Sequence, residues 1–427
     1  MSKVIPDIRS NYFEPNYDVD KIAPYTLEDP LTFLDGSKVK NADDWAKRRL
    51  EILDIFAKEM YGQEPPKPEN LIIDVVDERE DVIDGCAIRT QYKMYFKEDK
   101  TGPCINWLLV RPRHIKGKCP VIIQLNYQGN HQFLMDDDII ISDMWIRGET
   151  HRVPEERGVL CNPNHAAYCP IPMLINAGYA FLTAGYGEIS PDPEAAEPNP
   201  DFHQSTFAYT KCFELWGKRD ESREDNITAL GAWAWGLSRG IDLAFQNDAI
   251  DPEQIILTGY SRLGKAALVA AARDERVSTC IPVQCGGGGV TLAKRDFGEN
   301  IATEMKAFTH WYCKAYKKYE RNPAELLTFD QHLFTACIAP RRLLIAGFDS
   351  LWFDTEGEYL ACKAASCAWE ICGKAPFPNV PYPADFETSA IGPDLGYYHR
   401  SQSHGINGFD WWQILLFSGL FNRINKN

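Results

Sequence analysis

Residues 255–268 read Ile-Ile-Leu-Thr-Gly-Tyr-Ser-Arg-Leu-Gly-Lys-Ala-Ala-Leu, and this stretch constrains the fold more than any other. A β-branched run ends at Gly259, Ser261 follows after a single tyrosine, and a helix-forming segment begins at once. A strand, tight turn and helix in this order lift a serine hydroxyl clear of a sheet. The same turn points the amides of the helix N-terminus at the space above the serine. The glycines belong to that geometry, because the turn is strained and the backbones on either side of it pack closely. The pattern departs from the commoner Gly-x-Ser-x-Gly: after Ser261 come Arg262, Leu263, Gly264 and Lys265. An ordinary βα turn that happens to hold a serine needs no Ser-Arg and Gly-Lys pairs. Together with the preceding strand, these point to a nucleophile.

Around this turn the chain reads as alternating helix and strand. A helix opens at Asn41-Ala-Asp-Asp-Trp with Asn41 or Asp43 as its cap. Its apolar stripe is Trp45, Leu50, Ile52, Leu53, Phe56 and Met60, and Gly62 with Pro65-Pro66 stops it. Strand-like runs follow at 71–76, 87–96, 105–111 and 121–126. The last two are expected to form a hairpin through Lys116-Gly117 near the edge of the sheet. Further on come a strand at 179–184, a helix at 227–244, a strand at 255–258, a helix at 263–272, and strands at 279–282 and 342–346. Such alternation implies a mostly parallel central sheet covered by helices on both faces, a three-layer α/β sandwich. Residues 1–40, rich in Pro, Asp, Asn and Tyr, read as an extended arm, and 41–427 as one α/β domain. Long insertions at 130–170, 186–225 and 286–330 are expected to build a cleft.

Composition excludes more than it identifies. A net charge of −15 argues against nucleic acid and anionic membranes as partners, and no apolar run is long enough to span a bilayer. The 13 cysteines show neither CxxC nor metal-type spacing. Cys362, Cys367 and Cys372 recur every fifth residue, which fits a helix better than a zinc site, so neither metal nor cofactor is expected. With no apolar signal region at Met1, reduced thiols and a cytoplasmic location are expected for the chain as written, and secretion if a leader has been removed. A monomer is expected.

A serine nucleophile needs a base and an acid downstream. His404, in the polar Ser403-His404-Gly405 loop before the apolar 409–420 segment, suits the base. His399, among strand-like neighbours, reads as packed beside the cleft. For the acid, the 343–348 run leads directly to Asp349, with Asp354 and Glu356 beyond it.

The block Gly259-Tyr-Ser-Arg-Leu-Gly-Lys265 resembles the signature of the glucuronoyl esterases, carbohydrate esterase family 15. The likeness runs in matching order over roughly residues 40–420. It takes in Asn126-Tyr-Gln-Gly-Asn-His131, Trp233-Ala-Trp235-Gly-Leu-Ser-Arg239, Gly286-Gly-Gly-Gly289 leading to Arg295-Asp-Phe-Gly-Glu299, Leu351-Trp352-Phe-Asp354, and the His404 loop before Asp410-Trp411. The resemblance implies an α/β-hydrolase fold. It also implies a serine esterase that cleaves esters between (4-O-methyl-)glucuronic acid of xylan and lignin alcohols. In that reading Ser261 is nucleophile and His404 base, Arg262 holds the oxyanion with help from an amide of the 126–130 loop, and Lys265, Glu299 and Trp352 contact the sugar. The acid departs from the family pattern. Gln284 stands where the usual Glu falls, and Ser350 stands at the slot some bacterial members fill with Asp, next to Asp349. Two other readings stay open on the sequence: an O-acetyl esterase acting on xylan, and a catalytically weakened carbohydrate-binding relative.

Overall fold

Helix α1 (Ala42–Glu59) starts at Asn41, whose side chain accepts a hydrogen bond from the Asp44 amide at 2.9 Å. It buries Trp45, Ile52 and Phe56 and ends before Gly62, which takes φ +74°. The computed structural model describes residues 15–144, 153–193, 207–382 and 389–419. The described part of the arm lies on the body: Lys294 Nζ donates to Thr26 O and Glu28, and Gly298 N donates to Asn16 O.

One sheet runs through these residues. Its strands are β1 (Ile72–Val82), β2 (Ala87–Tyr95), β3 (Cys104–Pro112), β4 (Cys119–Asn126), β5 (Ala180–Gly185), β6 (Ile250–Tyr260), β7 (Thr279–Val283), β8 (Arg342–Phe348), β9 (Ser389–Ile391) and β10 (Leu395–Arg400). Their order is β1-β2-β3-β5-β4-β6-β7-β8-β10-β9. From β5 to β10 every neighbouring pair is parallel, and antiparallel strands flank that block on both sides. Consecutive residues face opposite layers, and both layers are apolar. Val121, Ile123, Leu343 and Ile345 join the core beneath α1, α3 (Ala229–Gln246) and α4 (Arg262–Arg273). Ile122, Leu344 and Ala346 join the opposite core, beneath α2 (Ile171–Asn176) and a C-terminal helix at Gly408–Phe417. This is the α/β-hydrolase arrangement expected from the sequence.

One expectation fails. β3 and β4 do not form a hairpin, because β5 lies between them, antiparallel to β3 and parallel to β4. All eight residues of β4 are buried, so it needs a paired strand on each side and a helical layer on each face. A basic, Gly-containing link resembles hairpin chemistry locally but says nothing of the strand that returns from 54 residues further on. None of the 13 cysteines forms a disulfide, and among the described residues no helix is long and apolar enough to cross a membrane.

Candidate active site

The turn between β6 and α4 has the strained form the sequence requires. Ser261 takes φ +58°, ψ −133°, a left-handed conformation that costs a residue with a Cβ about 1–2 kcal/mol. It persists because the surroundings fix it: Ser261 N donates to Val283 O of β7 at 2.9 Å, and Ser261 O accepts from Gly264 N and Lys265 N. A Cβ on Gly259 would lie 2.5 Å from Leu263 O, and one on Gly264 would lie 2.8 Å from Gly259 O. Both glycines are therefore demanded by close approach. The Arg262 amide is the first of helix α4, so it has no partner within the helix. The 126–130 loop braces this turn through Tyr127, whose hydroxyl donates to Tyr260 O at 2.7 Å. The amides of Gln128 and Gly129 are spent on Asn126 Oδ1, which withdraws those two from an oxyanion.

His404 lies in the exposed loop after β10, with its ring 5.7 Å from that of Tyr260, 5.5 Å from Phe348 and 5.1 Å from Phe353. Tyr260 immediately precedes Ser261 and Phe348 immediately precedes Asp349, so serine, imidazole and carboxylate lie at the C-terminal edge of β6, β8 and β10. Asp349 is half-buried and its amide is fixed on Arg400 O at 2.9 Å. The two alternative acids are committed elsewhere. Asp354 holds Arg295 at 2.7 Å and caps the helix Thr355–Ala365, and Glu356 reaches the same guanidinium at 2.9 Å. Ser350 is buried under the edge. His399 packs on β10 between the rings of Tyr382 and Tyr397, as expected; burial lowers its pKa against an opposing effect from Asp349.

Arg262 points into a network the sequence does not reveal. Its guanidinium pairs with Asp192, which also accepts from His310 Nε2 at 2.8 Å, Trp311 Nε1 at 2.9 Å and Tyr186 Oη at 3.3 Å. The guanidinium carbon sits 4.7 Å from the Trp311 ring centroid. Burial works against the charge, but Asp192, Tyr127 and Tyr186 together outweigh it and hold the group above its ordinary pKa.

One turn along the helix, buried Lys265 donates to Glu299 at 3.2 Å and Glu304 at 3.3 Å. Burial opposes its charge, and the two carboxylates outweigh that effect. Trp352 O accepts from Glu299 N at 2.6 Å, which brings the expected sugar contacts Lys265, Glu299 and Trp352 together. Glu304 was not expected here. Burial, only partly offset by Lys265, pushes its carboxyl up to about 7, and it accepts from Tyr312 Oη. A raised carboxyl pKa means the folded chain binds more protons than the unfolded one between about pH 4.5 and 7. This group's stabilising contribution is complete below pH 4.5 and is lost as pH rises through 7. Glu304→Gln should therefore flatten the fall of Tm between pH 5 and 7. An unchanged slope in thermal melts would assign that pH dependence elsewhere.

The same architecture recurs in known proteins. A carbohydrate esterase of an unidentified prokaryote is 32% identical over 425 residues, which cover 97% of this chain and 93% of that one. The structure of a promiscuous family-15 carbohydrate esterase from a marine bacterial metagenome superposes with a TM-score of 0.84 at 30% identity. That match covers 95% of this chain and all of the other. The chain belongs to the glucuronoyl esterases of carbohydrate esterase family 15. Residues 161–373 match the family model described as glucuronyl esterase, fungi. The glucuronoyl esterase of Solibacter usitatus also gives a TM-score of 0.84 at 30% identity, over 94% of this chain and 99% of its own. The 4-O-methyl-glucuronoyl methylesterase of Schizophyllum commune is 26% identical over 357 residues, 81% of this chain and 74% of that one. As a glucuronoyl esterase the protein is a carboxylic ester hydrolase.

Four residues of this esterase escape a reading of its sequence. Asp192 lies between two prolines in an insertion, and Glu304 in a helix of the next, with nothing local to mark either. Glu358 is fully buried behind the site, accepting from Gly286 N at 3.2 Å, and burial raises its pKa strongly. Tyr127 belongs to a segment whose signal was its amides, not its phenol.

Proposed function

We propose that the chain hydrolyses the ester between (4-O-methyl-)glucuronic acid of glucuronoxylan and a lignin-type alcohol, through a glucuronoyl-enzyme intermediate. The observation that carries this reading is the strained Ser261 turn, with the His404 ring against its preceding residue and the Lys265–Glu299 pair one turn beyond. His404 takes the Ser261 proton as Oγ attacks the C6 carbonyl of the uronate. The oxyanion meets the Arg262 amide and guanidinium, fixed positive groups in a site where charge is poorly screened by water. His404 then returns the proton to the departing alcohol, activates a water in turn, and the acid is released from Ser261. Asp349 orients the imidazole and stabilises its protonated form. Lys265, Glu299 and Trp352 hold the sugar ring, and the protein acts as a monomer without metal, nucleic acid or membrane.

The test is hydrolysis of benzyl glucuronate beside that of acetylated xylan, with wild type and Asp349→Asn. Uronate esters should be the preferred substrate, and the variant should lose turnover toward about 10⁴-fold. Faster release of acetate would sink the uronate assignment, and full activity in the variant would place the acid at another residue. Lys265→Ala should raise KM for the uronate ester more than it lowers kcat. An unchanged KM would make the lysine a structural partner of Glu299 and Glu304 only.

A further inference from the structure

Gln284 follows directly on β7 with a backbone few residues tolerate. It takes φ +51°, its amide donates to Ala346 O of β8 at 2.6 Å, and its side chain is wholly buried. The side-chain carbonyl accepts from Gly405 N at 2.8 Å. A backbone N–H can only donate, so the amide oxygen must face Gly405 and the NH₂ group must point away. The Gly405 carbonyl is held from the other side by Arg400 Nη2 at 2.7 Å, and Arg400 is anchored on buried Asp410. Both backbone groups of Gly405, the residue immediately after His404, are thus gripped, the N–H by the residue that follows β7 and the carbonyl by a residue of β10.

We propose that Gln284 is a positioning residue for His404, a neutral clasp that sets the imidazole over Ser261 by holding the Gly405 peptide. The inference rests on His404 being the base. What this place needs is an acceptor for Gly405 N, and the uncharged amide supplies one. An amide keeps the acceptor that the loop needs and adds no charge. The backbone strain at Gln284 is of the kind that surrounding structure maintains where a side chain must be aimed.

The test uses Gln284→Met, which keeps the length of the side chain and removes the acceptor, with Gln284→Ala as the smaller alternative and Gln284→Glu as the rescue. Loosening a catalytic base by about 1 Å costs on the order of 10²-fold. Gln284→Met should therefore lower kcat for benzyl glucuronate by about 10- to 100-fold with KM unchanged, and Gln284→Glu, which still accepts from Gly405, should recover most of it. Wild-type kcat in the Met and Ala variants, or no recovery in Gln284→Glu, overturns the clasp. His404→Ala, measured alongside, separates the two ideas. Activity retained there removes the base itself, whereas its loss beside an unaffected Gln284→Met removes the clasp alone.

Discussion

Replacing Ser261 by alanine should lower kcat for benzyl glucuronate by about 10⁶-fold while leaving the fold intact. The loss is this large because in the proposed mechanism the serine, the imidazole and the acid act as one unit, so removing the nucleophile idles the other two. No neighbour can substitute. Cys285 packs against the same turn, yet it is wholly buried and burial holds its thiol well above the ordinary pKa, so it offers no thiolate. Residual rate would come from the oxyanion donors and substrate binding acting on water, worth about 10³–10⁴ over solution. Stability should barely change. The contacts that fix Ser261 are made by its backbone, and alanine carries the same Cβ into the same left-handed conformation. A variant that keeps its Tm and loses turnover identifies the hydroxyl as the reacting group. One that keeps its turnover would end the acyl-enzyme mechanism.

This turn is legible in the sequence because its chemistry and its geometry lie within seven consecutive residues. Gly259 and Gly264 are needed for the same close approach that raises Ser261, so the local pattern carries both. His404 is legible for a weaker reason, its place in a polar loop ahead of the last helix. What stays hidden joins residues distant in the chain. Arg262 meets Asp192 across 70 residues, and Gly405 meets Gln284 across 121. No local signal marks either partner, because each is chosen by the order of strands in the sheet. The misplaced β3–β4 hairpin has the same origin: turn chemistry is local, whereas β5 enters the gap from beyond a long insertion. Asp354 and Glu356 are similar in kind. Both are plausible acids by spacing, and only the position of Arg295, some 60 residues earlier, withdraws them.

Arg262→Ala should separate the two roles proposed for one guanidinium. Toward the oxyanion it is a fixed positive charge, and its loss should lower kcat by about 10²–10³-fold, the cost of one preorganised donor. Toward the core it balances Asp192, and breaking a buried pair on one side typically costs about 3–5 kcal/mol. The lower end of that range is expected, because Asp192 keeps the donors of His310, Trp311 and Tyr186. Arg262→Lys should repair little, since an ammonium can neither lie flat on the Trp311 ring nor span Asp192 and substrate together. The decisive variant is the double one. With Asp192→Asn added, the buried charge left by Arg262→Ala disappears, so much of the lost stability should return in denaturant melts. Turnover should not return with it, because the positive charge above Ser261 is still missing. If kcat recovers together with stability, the guanidinium serves packing alone, and oxyanion stabilisation must be left to the backbone amide of the same residue.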